Sequence, residues 1–215
     1  MGIIKWGILG GFRNKTGTVV GSFWRTLDVI RGLPRISGKK ATQAQLDQRI
    51  KFALVTNYFA WISDLIAVGY KALSNIDTPM NVAVSYHLKQ AVVGVSPNFT
   101  LDYTKVMFSQ GKLSMPYGIS AISTEAAEIE LTWTDDGRDN RGKDGTDQLS
   151  ILVFHPTLFD FVTLHNVVAR SAKAYTISLP AEFSGSAVHC YMAFNSIIRK
   201  NYASESEHVG LVMVL

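Results

Sequence analysis

The sequence has 215 residues, of which 47% are hydrophobic and 18% charged, and its formal net charge is +4. A chain of this length can bury one or two hydrophobic cores, and this composition excludes a mainly disordered protein. Its single cysteine, Cys190, excludes an intramolecular disulfide framework.

The first forty residues predict an extended, glycine-rich and basic arm. The stretch FRNKTGTVVG contains a turn signal, and residues 18–31 follow as one strand-like run. Alternation along that run puts Trp24 on one face and Phe23 and Leu27 on the other. Since both faces are apolar, the strand needs cover on both sides, from the rest of the chain or from another subunit.

This arm is the expected assembly contact. Its aromatic side chains and the basic residues near them would meet a neighbouring sheet edge by strand addition. The predicted assembly interface consists of Trp6, Phe12, Phe23, Trp24, Arg25, Arg31 and Arg35.

Residues 41–97 predict an antiparallel helical hairpin. Thr42 followed by Gln45 is a capping-box signature that begins the first helix. Apolar residues at helical spacing, with Trp61 among them, continue this helix to about Ser74.

The second helix of the hairpin has its own start signal. Thr78 is a suitable cap, and Pro79 follows at the first helical position. We expect this helix over residues 80–92, with Gly94 and Pro97 ending it.

The most apolar window of the sequence is residues 52–70, 19 residues long. It reaches the length of a membrane span, but it contains Asn57 and Asp64, which favour a buried core helix. Lys5 lies inside the opening apolar run, which argues against a signal peptide. We therefore predict no transmembrane segment, and both a cytoplasmic and an extracellular or particle-associated location stay open.

From Phe99 onward the apolar period changes to two, which is typical of strands. In EIELTWTD, Ile129, Leu131 and Trp133 alternate with polar residues, so one face should be buried. Several short strands separated by turn signals predict a β-sandwich over residues 98–215. The expected strands are Thr100–Phe108, Ala127–Thr134, Gln148–Phe154, Phe161–Ala169, Tyr175–Leu179, Ala187–Phe194 and His208–Val214.

The opening pattern GxLGGFxxKxGxVVGSxW, with DVIRGLP and AVHCYMAF further on, resembles a family of similar-length proteins from Bacteroidota with no assigned function. The resemblance extends over nearly the whole chain, although Thr26 stands where members usually have a small residue or glycine. It implies no activity and no functional residue. Separately, residues 98–215 resemble a fibronectin-III or immunoglobulin-type sandwich with Trp133 in an early strand, which implies a fold alone.

The predicted fold class is therefore α+β. An extended strand arm occupies residues 1–40, an antiparallel helical hairpin residues 41–97, and an immunoglobulin-like or fibronectin-III-like β-sandwich residues 98–215.

No motif in the sequence predicts catalysis. GGFRNKTG has Asn14 where a phosphate-binding loop needs glycine before its lysine. The five histidines have no metal-binding spacing. His189 and Cys190 are adjacent on one expected strand, so their side chains point to opposite faces and cannot act as a base and nucleophile together. We expect no enzyme activity, no cofactor and no metal.

Residues 135–147 form the longest expected loop and contain five aspartates. Their spacing is not that of an EF-hand, and three basic residues among them would neutralise their charge. One interpretation is a solvated hairpin loop; the other is a loop that contacts a protein or glycan ligand. The candidate binding residues are Asp135, Asp136, Asp139, Asp144 and Asp147.

The expected function is that of a non-enzymatic structural subunit, a homo-oligomer that assembles through its arm into a filament, surface layer or phage-like particle. Residues 1–51 contain ten Lys and Arg against two Asp, a net charge of +8, so residues 52–215 carry −4. This asymmetry can attract a second copy of the chain or nucleic acid. The alternatives are a monomeric adhesion or binding module that uses the sandwich loops, and a basic nucleic-acid-binding protein.

Overall fold

The computed structural model describes residues 2–3, 11–24, 27–35, 38–74, 77–135 and 144–215. The chain forms two compact units, residues 1–42 and residues 43–215. The predicted helical hairpin and the predicted sandwich both lie in the second unit, because they share one hydrophobic cluster.

The first unit contains a four-stranded antiparallel sheet in the order β1-β4-β3-β2. Its strands are β1 (Gly2–Ile3), β2 (Asn14–Thr16), β3 (Val19–Trp24) and β4 (Leu27–Gly32).

The prediction of a single strand over residues 18–31 is wrong, because the chain reverses between Trp24 and Leu27, which pair with each other. Directly paired residues share a face of a sheet, so Trp24 and Leu27 lie together and Phe23 lies on the opposite face. Alternation along a single strand places Leu27 on the same face as Phe23, because it takes no account of the turn between the two strands.

The second unit begins with two helices, α1 (Gln43–Ala60) and α2 (Ser63–Gly69), that bend by 89° at the break between them. The prediction of one continuous helix to Ser74 is therefore wrong. A straight helix presents only one side to a core, whereas the bend buries apolar residues of both segments in the same cluster. Within the described residues no single helix has the length and hydropathy of a membrane span, although α1 and α2 together reach both.

The start of α3 (Pro79–Gln90) confirms the predicted cap. The Thr78 hydroxyl accepts a hydrogen bond from the Asn81 N–H at 3.2 Å, and Pro79 is the first helical residue. The helix ends before Val92, because the chain then forms a hairpin of β5 (Val92–Val95) and β6 (Asn98–Leu101). Gly94 and Pro97 thus belong to this hairpin.

Seven further strands form two antiparallel sheets, one of four strands in the order β10-β9-β12-β13 and one of three in the order β11-β8-β7. They are β7 (Tyr117–Ile122), β8 (Glu128–Thr134), β9 (Gln148–His155), β10 (Asp160–Leu164), β11 (Ala174–Ser178), β12 (Ala187–Asn195) and β13 (Glu207–Met213). The predicted α+β class and the β-sandwich are confirmed.

Most predicted strands are present, with two errors and one omission. The run Thr100–Phe108 leaves the sheet after Leu101, because the Asp102 carboxylate accepts the Thr104 N–H and caps a short 3-10 turn. The run Phe161–Ala169 ends at Leu164. The sequence does not predict strand β7, all of whose residues are exposed or half-buried, because it lacks a clear alternation of buried apolar and polar residues.

The four-stranded sheet separates two hydrophobic clusters. One face of β12 presents Val188, Cys190, Met192 and Phe194 to the three-stranded sheet. The other face presents Tyr191 and Ala193 to the helices. Because both faces are buried, the helices are an integral layer of the second unit.

Buried His87 connects α3 to the segment that follows β6. Its Nε2 accepts the Met107 N–H at 2.9 Å, so its Nδ1 carries the proton and donates to the Ala83 carbonyl at 2.7 Å. Its ring lies 4.3 Å from the ring of Phe59. Burial lowers the pKa of His87 to about 4, although the hydrogen bond to the Ala83 carbonyl acts in the opposite direction.

Because the pKa of His87 is lowered in the folded chain, we expect the protein to be less stable in acid. Between pH 6.5 and pH 4 the unfolded chain binds a proton at residue 87 while the folded chain does not, so the free energy of unfolding should fall by about 3 kcal/mol. Urea unfolding at a series of pH values measures this fall. A His87→Gln variant is the control, and its curve should be flatter over this range by that amount. Parallel curves for the two proteins would contradict the assignment.

Candidate functional site

Two large aromatic side chains are exposed where β3 meets β4. Phe23 is 50% exposed and Trp24 52%, and Leu27 beside Trp24 is also exposed. We call Phe23, Trp24 and Leu27 the hairpin tip. Aromatic and apolar side chains that cluster on a surface mark interaction sites more often than isolated ones do.

Residues 11–13, directly before β2, lie against one face of this sheet. A side chain at Gly21 would collide with the Phe12 carbonyl oxygen, which shows how closely the backbone crosses there. The Arg13 guanidinium lies 4.8 Å from the centre of the Phe23 ring, in cation–π contact. Phe12 is half-buried, so it packs within its own unit.

The remaining predicted assembly residues divide into two groups. Arg31 and Arg35 are exposed. Trp6 and Arg25 lie outside the described residues. The described part of the predicted interface is thus an aromatic tip with basic residues on the same small unit.

The acidic loop is only partly available for a ligand. Asp147 is fully buried and pairs with Arg170, with Oδ2 3.3 Å from Nε, so its prediction as a binding residue is corrected. The Asp144 carboxylate accepts the N–H and hydroxyl of Thr146, which lowers its pKa. Asp135 is half-buried, and Asp136 and Asp139 lie outside the described residues. The described residues contain no group of three or more metal-ligating side chains.

Arg170 is the centre of a buried polar arrangement that sequence reasoning missed. Its guanidinium lies 4.3 Å from the centre of the Phe194 ring and donates to the Ser114 carbonyl at 2.8 Å. Its own carbonyl accepts the Trp133 indole N–H at 2.9 Å. Burial lowers the pKa of Arg170, and the Asp147 carboxylate opposes that shift.

The pair makes a prediction for stability. Asp147→Asn should lower the free energy of unfolding by about 3–5 kcal/mol, because it leaves the buried Arg170 charge without its counter-ion. Urea denaturation measures the change. The matched control is Asp160→Asn, which removes an exposed carboxylate and should change stability by less than about 0.5 kcal/mol. Equal effects of the two substitutions would contradict a structural role for the pair.

A second aromatic surface lies on the second unit. Trp61 is 67% exposed, although the helical spacing predicts it in the core stripe, because it sits in the break between α1 and α2. Its ring stacks on Phe161 at 6.3 Å, and Phe161 contacts Phe159 at 5.4 Å. Leu158 and Phe159 are exposed as well. We call Trp61, Leu158, Phe159 and Phe161 the aromatic surface.

The reactive side chains named from the sequence do not form a catalytic pair. Cys190 is fully buried between the two sheets, and burial raises the pKa of its thiol to about 12, which makes it a poor nucleophile. The ring of His189 lies on the opposite face, beside the ring of Tyr103.

Residues 7–210 match the family described as "Family of unknown function (DUF6266)". The chain belongs to DUF6266. No curated protein matches the sequence. Among solved structures, this DUF6266 member is similar to the fn3 domain of the human collagen alpha-1(XX) chain. The identity is 14%, the match covers 50% of this chain and 90% of that one, and the TM-score is 0.33.

Proposed function

We propose that this protein is a non-enzymatic structural subunit that self-assembles, with the hairpin tip of one copy contacting the body of the next. The observation that carries the proposal is the exposure of Phe23 and Trp24 at the end of a hairpin. Polar side chains at a hairpin tip are well solvated by water, whereas large exposed aromatic rings are not. Two such rings at the tip therefore favour binding to a partner protein.

The tip belongs to a unit with a strong positive charge. Residues 1–42 contain eight Lys and Arg against Asp28 alone, a net charge of +7, which leaves −3 for residues 43–215. When two copies meet, these opposite charges favour contact between the first unit of one copy and the second unit of the other over contact between two like units.

The aromatic surface is the contact that we propose for the tip. Its rings pack on buried Tyr58 and Phe154, so they are held in place before a partner arrives. Asp64 is the only charged residue in 52–70, and Asp160 is the only acid or Lys/Arg in 155–165. Both are exposed, so this surface combines apolar area with negative charge and complements a basic aromatic tip.

A contact of this type joins different patches on the two partners. Repetition of such a head-to-tail contact gives a filament when the rotation does not close, and a ring or shell when it does. The proposal therefore includes filaments, surface layers and closed particles, all of which use the same pairwise contact.

The test is a double substitution, Phe23→Ser with Trp24→Ser. Both side chains are exposed, so the variant should stay folded, with an unchanged circular dichroism spectrum. Aromatic contacts at the centre of an interface commonly contribute about 2 kcal/mol or more each, so the loss of both should weaken self-association by roughly 1,000-fold. Light scattering over a concentration series measures the association, and negative-stain electron microscopy images the product.

The matched control is Leu211→Ser, which removes an exposed apolar side chain from β13 in the second unit. This variant should assemble like the wild type. A wild-type protein that is monomeric at every concentration and salt would contradict the proposal, and so would equal association of the double variant and the wild type.

A further inference from the structure

Two histidines on adjacent strands turn their ring nitrogens toward each other. His189 Nδ1 on β12 and His208 Nε2 on β13 are 3.0 Å apart. Both residues are half-buried on the helix-facing side of the four-stranded sheet, where the Tyr103 ring lies 5.1 Å from the His189 ring. His189 and His208 are 19 residues apart in the sequence, and only the pairing of β12 with β13 brings them together.

A β-bulge brings the two rings to the same face. Cys190 pairs with Gly210 but Tyr191 pairs with His208, so Val209 is the extra residue of the bulge. Without the bulge His208 would pair with Met192, and its side chain would point into the core between the sheets. Bulges commonly redirect a side chain next to a functional site.

The distance between the two nitrogens suits a metal ion. Imidazole–metal bonds of about 2.0–2.1 Å place two ligands roughly 2.9 Å apart when they meet at a right angle, and roughly 3.3 Å apart in a tetrahedron. The observed 3.0 Å lies within this range, so a rotation of the rings that turns both lone pairs toward one point would let a metal ion take the place of the hydrogen bond. Among first-row divalent ions, Cu²⁺ and Ni²⁺ prefer tetragonal nitrogen sites, and Cu²⁺ binds most tightly.

We propose that His189 and His208 form a two-histidine binding site for a divalent metal ion that prefers nitrogen ligands, with Cu²⁺ bound most tightly. In the metal-free protein one of the two facing nitrogens carries a proton and donates a hydrogen bond to the other. Metal binding requires both lone pairs, so that proton moves to the other nitrogen of its own ring and none is released. Water fills the remaining positions, since both rings are half-exposed.

The surroundings favour a cation. The negative charge of Asp102 acts on His208, where it raises the pKa against the larger effect of burial. Burial, with a smaller effect of His208, lowers the pKa of His189. The ring of Tyr191 lies 5.0 Å from that of His208 and limits its rotation.

The experiment is a titration of the full chain with Cu²⁺ at pH 7.5, followed by calorimetry and by the visible absorbance of the bound ion. We expect one Cu²⁺ per chain, with Ni²⁺ binding more weakly at the same site. The variants His189→Asn and His208→Asn should each weaken binding by at least tenfold. The matched control is His165→Asn, which removes an exposed histidine outside the pair and should bind like the wild type.

A second measurement needs no substitution and so does not depend on the folding of a variant. In the wild-type chain, paramagnetic Cu²⁺ at substoichiometric concentration should broaden the side-chain NMR signals of His189 and His208 before that of His165. The absence of saturable binding would overturn the proposal. So would broadening of His165 first, or equal affinity in the wild type and the folded His208→Asn variant. None of these outcomes bears on the self-association of the hairpin tip.

Discussion

Arg170 places a guanidinium group in the interior of the second unit, out of contact with solvent, and the surrounding structure is arranged around that charge. Asp147 supplies the counter-ion, the Ser114 carbonyl accepts one N–H, and the Phe194 ring lies against the planar group. The Arg170 backbone adds hydrogen bonds to Asp147 and to the Trp133 indole. One buried charge thus connects β8, β12 and the start of β9. A buried charge of this kind is expensive without a counter-ion, so it favours an arrangement of these strands that keeps Asp147 beside Arg170.

The four-stranded sheet connects the core of the sandwich to the helical layer. Phe194 faces the core around Arg170, while the neighbouring Ala193 faces the helical layer. Because alternate residues of β12 contribute to both clusters, a displacement of this strand would disturb the two cores together. The bend between α1 and α2 follows from the same packing, since it lets both helices contact the sheet, and it leaves Trp61 exposed at the break.

The sequence predicts those features that depend on local patterns. The alternation in EIELTWTD identifies β8 and its buried face, and Thr78 with Pro79 identifies the start of α3. Features that depend on strand pairing or on distant contacts are not accessible in this way. Arginine is normally exposed, so the burial of Arg170 leaves no local signal. The hairpin between Trp24 and Leu27 and the bulge beside His208 change which face a side chain occupies, and only the register of the folded sheet reveals them.

The central functional claim is a contact between the hairpin tip of one copy and the aromatic surface of another. Photo-cross-linking tests it most directly, with benzoylphenylalanine in place of Trp24 and a mixture of chains labelled with light and heavy isotopes. The account predicts mixed light–heavy products in which position 24 is joined to a peptide containing Trp61 or residues 158–161. Products joined only within one chain, or mixed products joined elsewhere, would contradict it.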